Sequence, residues 1–182
     1  MEFYGDFRGT QRTPYEEGYN NTDNRHNLTL SAATTLPWQI QVSGIGKFIS
    51  GSPFLVQAGY DIDGDGSVQY DKPAGLTHTV GRGDVTQQLQ IINSLRTQLG
   101  LPQVSRSLLD PDPYVSIDAR VTKFFRVNNK QRLDLFFEVY NLTNHVNYTP
   151  YSINPNINST SFLVRNGARD GTQAQWGVRY TF

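Results

Sequence analysis

The segment whose residue types and spacing most directly suggest chemistry is Asp61-Ile62-Asp63-Gly64-Asp65-Gly66. Carboxylates at Asp61, Asp63 and Asp65, followed by Gly66, have the form of the opening of an EF-hand-type calcium loop, in which hard oxygen donors surround a hard cation. The last position of such a loop supplies a bidentate Glu, but here Lys72 stands there and no helix leads in. Calcium is therefore the one candidate cofactor, weakly held, and a solvated Asp-Gly turn is the competing reading. Other constellations carry less. His26, His78 and His145 are scattered, with no His-Glu-x-x-His helix and no Gly-x-Ser-x-Gly elbow. No catalytic residue is assigned, and the chain is not read as an enzyme. Gly44-Ile45-Gly46 lacks the third glycine and the following helix of a dinucleotide site, and suits a strand that bends. Arg82-Gly83-Asp84 spells an integrin-type tripeptide, although Asp84 is placed to cap a helix. The Asn-x-Thr triplets at Asn27 and Asn141 fall in or beside strands, which argues against glycosylation.

The 182 residues carry 16 Lys plus Arg against 16 Asp plus Glu. That balance excludes nucleic-acid binding by bulk phosphate attraction. The absence of Cys removes disulfide scaffolds, thiolate metal sites and cysteine nucleophiles. No apolar run is long enough for a membrane-spanning helix, and the opening Met1-Glu2-Phe3-Tyr4-Gly5-Asp6 has no basic or apolar leader character. Charged residues are only 18%, and the remainder is rich in Tyr, Phe, Asn, Thr and Gln, a β-rich profile.

Period-two alternation predicts five strands, at about 25–36, 38–50, 114–126, 131–142 and 171–182. In the last, Ala174, Trp176, Val178, Tyr180 and Phe182 oppose Gln173, Gln175, Gly177, Arg179 and Thr181. In the fourth, Leu133, Leu135, Phe137 and Val139 oppose Arg132, Asp134, Phe136, Glu138 and Tyr140. Tight connections at Pro37 and at Val127–Lys130 alternate with long ones at 51–113 and 143–170. One helix is expected from about Asp84 to Leu99, with Val85, Leu89, Ile92, Leu95 and Leu99 on one face and Gly100 and Pro102 to stop it. It would pack the longest loop against itself or against the mouth of the fold.

Such alternation needs a dry environment on one side only, which either a second sheet or lipid can supply. The strict exchange of short turns and long loops is the pattern of an outer-membrane barrel, whose periplasmic turns are short and extracellular loops long. Trp38, Phe125, Tyr180 and Phe182 fall near the expected periplasmic strand ends, where an aromatic girdle belongs. The charged alternate face suits a polar lumen. With Asn129 at the turn centre, Arg120 lies opposite Glu138 as a lumenal charge pair. Asp118 and Glu138 are read as structural ion-pair members, not as an acid/base couple. Five strands cannot close a barrel, so the chain is expected to be the last part of a longer polypeptide.

Three segments resemble a known family. Phe137-Glu138-Val139-Tyr140-Asn141-Leu142-Thr143-Asn144-His145-Val146-Asn147-Tyr148 resembles the penultimate-strand signature of TonB-dependent receptors. Gly177-Val178-Arg179-Tyr180-Thr181-Phe182 resembles their last strand, in which Trp176, Tyr180 and Phe182 would form the signal recognised by the barrel-assembly machinery. Asp61 to Gly66 with Asp71-Lys72-Pro73 resembles a loop of Oar-like receptors, those with a carboxypeptidase-regulatory-like domain, where Asp-Arg-Pro is usual and Lys72 is a departure. The resemblance covers about residues 20–182 and implies an all-β antiparallel transmembrane barrel segment in the Gram-negative cell outer membrane. It implies uptake of a scarce nutrient (siderophore, oligosaccharide or peptide), outer-membrane lipid as neighbour, and TonB as partner only through an N-terminal plug that this chain lacks. A secreted or cell-surface β-sandwich adhesion module is the alternative.

Overall fold

The computed structural model describes residues 19–62, 64, 66–69, 71–76, 79–149 and 152–182. Asp63, Asp65 and His78 of the sequence reading lie outside them. The chain divides into two compact units, one containing a sheet and the other built from the long connections.

The sheet unit comprises His26–Ile49, Pro113–Asn147 and Arg169–Phe182. Its strands are β1 (Asn27–Leu36), β2 (Ile40–Ile49), β3 (Tyr114–Arg126), β4 (Arg132–Tyr140) and β5 (Gln173–Thr181). They pair antiparallel in chain order, so each strand neighbours the one that precedes it. The pattern is all-β and antiparallel, with strand lengths close to the ~9–11 residues that cross a bilayer. Among the described residues, β1 and β5 each pair along one edge only.

The tight connections follow from their residues. Asn128 closes the β3–β4 turn: its Oδ1 accepts from Lys130 N at 2.8 Å and Gln131 N at 2.9 Å. This Asx turn keeps the hairpin short. The β1–β2 connection differs from expectation. Trp38 was expected to begin the second strand, but Pro37–Gln39 form a single tight helical turn and β2 starts at Ile40. Pro37 forces Leu36 to stay extended and cannot join a ladder. Reversal in so few residues then requires left-handed backbone, which Trp38 (φ 62°) and Gln39 (φ 60°) adopt at about 1–2 kcal/mol each. The Lys123 ammonium donates to the Trp38 carbonyl and helps hold the turn.

The fourth strand also ends earlier than expected. Asn141 takes φ 48°, which ends the strand at Tyr140. The fifth begins at Gln173, after Thr172, whose N donates to Asn144 Oδ1 at 3.1 Å and whose hydroxyl donates to the Asn141 carbonyl at 2.7 Å.

The second unit takes in Ser50–Asp112 and Tyr148–Ala168 together with residues before His26. Here lies the buried core: Val56, Val80, Ile92, Leu109, Phe162 and Leu163, with Leu76 and Ile157. Its helix, α1 (Val85–Gln98), starts where Asp84 Oδ1 accepts from Gln87 N at 2.9 Å. Gly100, at φ 69°, accommodates the chain where the helix ends. The expected apolar face meets the core, with Ile92 fully buried and Val85, Leu89 and Leu95 packed beside it, but Leu99 is exposed and the polar Gln88 and Arg96 are buried instead. Both polar residues are satisfied. Gln88 donates to the Arg82 carbonyl at 2.6 Å and accepts from Gly81 N at 3.0 Å. Arg96 donates to the carbonyls of Pro102 and Ile157 at 2.7 Å and of Ser159 at 3.1 Å, with its guanidinium over the Phe162 ring. Burial pushes the Arg96 pKa below its ordinary value.

Candidate functional site

Two faces of the sheet unit are candidates for function, and the register builds both. On the first, Thr34, Val42, Val121, Phe137 and Trp176 form one row across all five strands. Leu36, Ile40, Lys123, Leu135 and Val178 form the adjacent row. Leu30, Ile117, Phe125 and Tyr180 also keep large apolar side chains uncovered. Trp176 is 78% exposed and Phe182 91%, with the Tyr180 and Phe182 rings stacked at 6.1 Å. A continuous apolar face left exposed by the described residues is inconsistent with an ordinary soluble surface. Lys123, the one charge among these rows, reaches the turn carbonyl of Trp38, the way a long cation leaves an apolar surface.

The second face is polar. Arg120 and Glu138 stand opposite each other, and the guanidinium lies 2.8 Å from the carboxylate. Arg120 also covers the Phe136 ring at 4.2 Å and donates to Thr122 Oγ1 at 3.2 Å. Glu138 additionally accepts from the Tyr140 hydroxyl at 3.1 Å and from the Gln175 amide. Phe136, an aromatic on a polar face, has its space supplied by Gly177. A Cβ at that glycine would collide with the far end of the Phe136 ring, which occupies the space a side chain on the neighbouring strand would need. Nearby, Arg132 sits 2.7 Å from the buried Asp134 carboxylate and over the Phe124 ring.

The segment after β4 is a set of asparagine clamps. Asn141 Oδ1 accepts from His145 N at 3.1 Å while its amide donates to the His145 carbonyl at 3.0 Å. Asn144 Oδ1 accepts from Thr172 N at 3.1 Å. Asn147 takes both backbone groups of Val115, accepting from N and donating to O, each at 2.7 Å. One buried side-chain amide thus does the work of a strand partner at the end of β3. Apart from the family resemblance of residues 137–148, nothing in the local alternation marks this segment. The spacing Asn141, Asn144, Asn147 was the available signal.

Asp61 behaves as a turn residue. Its carboxylate accepts from Gly64 N at 2.7 Å and Gly66 N at 2.9 Å. Among the described residues no group of acids or histidines could hold a metal ion. The Arg82-Gly83-Asp84 tripeptide is built into the fold. Arg82 donates to the carbonyls of Asp23 and Gly51 at 2.7 and 2.8 Å, and Asp84 caps α1. His145 Nδ1 lies 3.2 Å from Asn147 Oδ1, within the asparagine segment itself.

Comparison with protein families matches residues 3–175 to the family described as Outer membrane beta barrel domain. Comparison with curated proteins and comparison with solved structures each gave no match.

Proposed function

Since the chain belongs to the Outer membrane beta barrel domain family and so resides in the outer membrane, we propose that it forms wall and extracellular loops of an Oar-like TonB-dependent receptor that imports a scarce nutrient. The observation that carries this reading is the combination of an uncovered apolar sheet face with two long connections that fold into a body with its own core. The apolar face meets lipid. The polar face, with Arg120 and Glu138, looks into the lumen. The free edges of β1 and β5 pair with further strands, because unpaired backbone in hydrocarbon costs several kcal/mol per group. The Asn141–Asn147 clamps and the aromatic end Trp176, Tyr180 and Phe182 support the receptor assignment through the motifs they share with that family. On this reading the barrel-assembly machinery recognises the last strand, the role is transport and not catalysis, and energy arrives through TonB.

The test is nutrient uptake in cells that lack the full-length protein, in complemented cells, and in complemented cells without TonB. Uptake of at least one siderophore, oligosaccharide or peptide should depend on both proteins. Uptake that needs the barrel but persists without TonB would leave a passive channel in place of the receptor.

A further inference from the structure

Each carboxylate on the polar face of the sheet is already engaged. Asp118 accepts from Ser116 Oγ at 2.8 Å and Asn141 N at 2.9 Å. Asp134 is matched by Arg132, and Glu138 by Arg120, Tyr140 and Gln175. The cations are not all engaged. Lys47, Arg126 and Arg179 share this face by register, and among the described residues none makes an ion pair. The face therefore presents an excess of positive charge although the whole chain has a formal net charge of +0.

The unspent cations gather at two levels. At the long-loop end, the Lys47 ammonium lies 5.9 Å and the Arg169 guanidinium 5.4 Å from the centre of the same Tyr114 ring. Neither has a carboxylate partner among the described residues. At the short-turn end, Arg126 stands directly opposite Arg132, and Arg179 opposite Asp134, whose carboxylate Arg132 already occupies. Asp134 offsets only one of these three guanidinium groups, so uncompensated like charge remains at this end of the ladder. Ten residues of β3 separate Ser116, the partner of Lys47, from Arg126. That spacing is roughly 33 Å along the strand. Between the two levels Arg120 is neutralised by Glu138.

We propose that the polar face takes a small anionic solute bearing phosphate or carboxylate groups, with Lys47, Arg169 and Tyr114 as its receiving site and Arg126 with Arg179 as a second station. The inference rests on the reading of this face as lumenal. A docked acidic protein segment would call for one continuous complementary patch. Two positive stations separated by a neutral stretch suit a solute that is captured, released and captured again, and fixed charge at a mouth raises the local concentration of such solutes.

The experiment measures binding of inorganic phosphate and of citrate to the full-length protein in detergent micelles by calorimetry, at low and high NaCl. Wild type should bind, more weakly as salt rises. The K47A/R169A variant should weaken binding at least about 10-fold, as loss of a charge-assisted contact implies, and K47R/R169K should retain it. The R126A/R179A variant should lower the number of anions bound. Heat-modifiable gel mobility checks that each variant is still a folded barrel. No binding by wild type, or equal binding by both alanine variants, would overturn the proposal. Binding that emerges only when the remainder of the protein inside the lumen is deleted would overturn it too, and would assign the cations to an internal acidic segment. TonB-dependent uptake of a neutral nutrient without anion binding would remove this inference and leave the receptor reading intact. Anion binding lost in K47A/R169A, with TonB-independent uptake, would support the inference and remove the receptor reading.

Discussion

Ile92 and Ile117 are the same residue type in opposite settings. Ile92, on the helix of the loop unit, has no exposed surface, whereas Ile117, on β3, keeps 43%. The difference extends to their neighbourhoods. Around Ile92 the loop unit gathers Val80, Leu109 and Leu163 into a core of the kind water imposes. Around Ile117 the sheet leaves Leu30, Val121, Phe137 and Trp176 largely exposed. One chain thus follows two rules. Where the surroundings are aqueous, apolar side chains bury one another. Where the surroundings are hydrocarbon, they face outward and the polar residues collect on the other side.

The sharpest way to break that comparison is to make one deletion in both places. Ile92→Ala should destabilise the loop unit by about 3–4 kcal/mol, through lost burial and a residual cavity. Ile117→Ala should change the stability of the sheet by less than about 1 kcal/mol, because the site already faces outward and opens no cavity. Hydrogen exchange resolved by region, on the full-length protein in detergent, reads both. Equal losses would mean that the outward face is covered by protein.

Charge insertion comes next. Val121→Arg should cost about 2–4 kcal/mol in a bilayer, since it sets a guanidinium on the lipid side of a central strand. Thr86→Arg, on the exposed side of α1, should stay within about 0.5 kcal/mol. Denaturant unfolding in lipid vesicles separates the two, and a tolerated Val121→Arg would contradict the lipid assignment.

Asn147→Ala tests whether the sheet depends on specific polar contacts. Loss of both bonds to Val115 should cost about 2 kcal/mol and leave those backbone groups to exchange faster. Unchanged protection at Val115 would show that the clamp is dispensable.

A double-mutant cycle on Arg120 and Glu138 should give the smallest coupling, about 0.5–1 kcal/mol, since both side chains keep some exposure and share other partners. A coupling of several kcal/mol would instead point to a lumen much drier than the polar face suggests.

Much of the sheet was legible in the sequence, and the reason is local. Alternation with period two assigns each side chain of a strand to one face, and a short turn sets the pairing of its two strands. The residues between Arg126 and Arg132 are thus enough to put Arg120 opposite Glu138. Trp38 escaped because the same alternation continues through Pro37, and only the backbone needed to reverse the chain shows that the strand has stopped. The polar face was legible as charged, but the division between engaged acids and unengaged cations was not. That division depends on which hydroxyls, amides and backbone groups reach Asp118 and Glu138, and Asn141 and Gln175 come from outside the hairpin that carries those two acids.

What the sequence determined by itself was the number of strands, their apolar and polar faces, the ends at which turns are short, and the place of the helix. Each follows from residues close together in the chain. The fate of the long connections was settled only in three dimensions. Arg96 looks like a surface residue of an amphipathic helix, yet it is buried because the carbonyls of Ile157 and Ser159, 61 and 63 residues away, fold back to accept its protons. A buried cation needs those acceptors in place, and no local pattern of side chains announces which distant backbone will provide them.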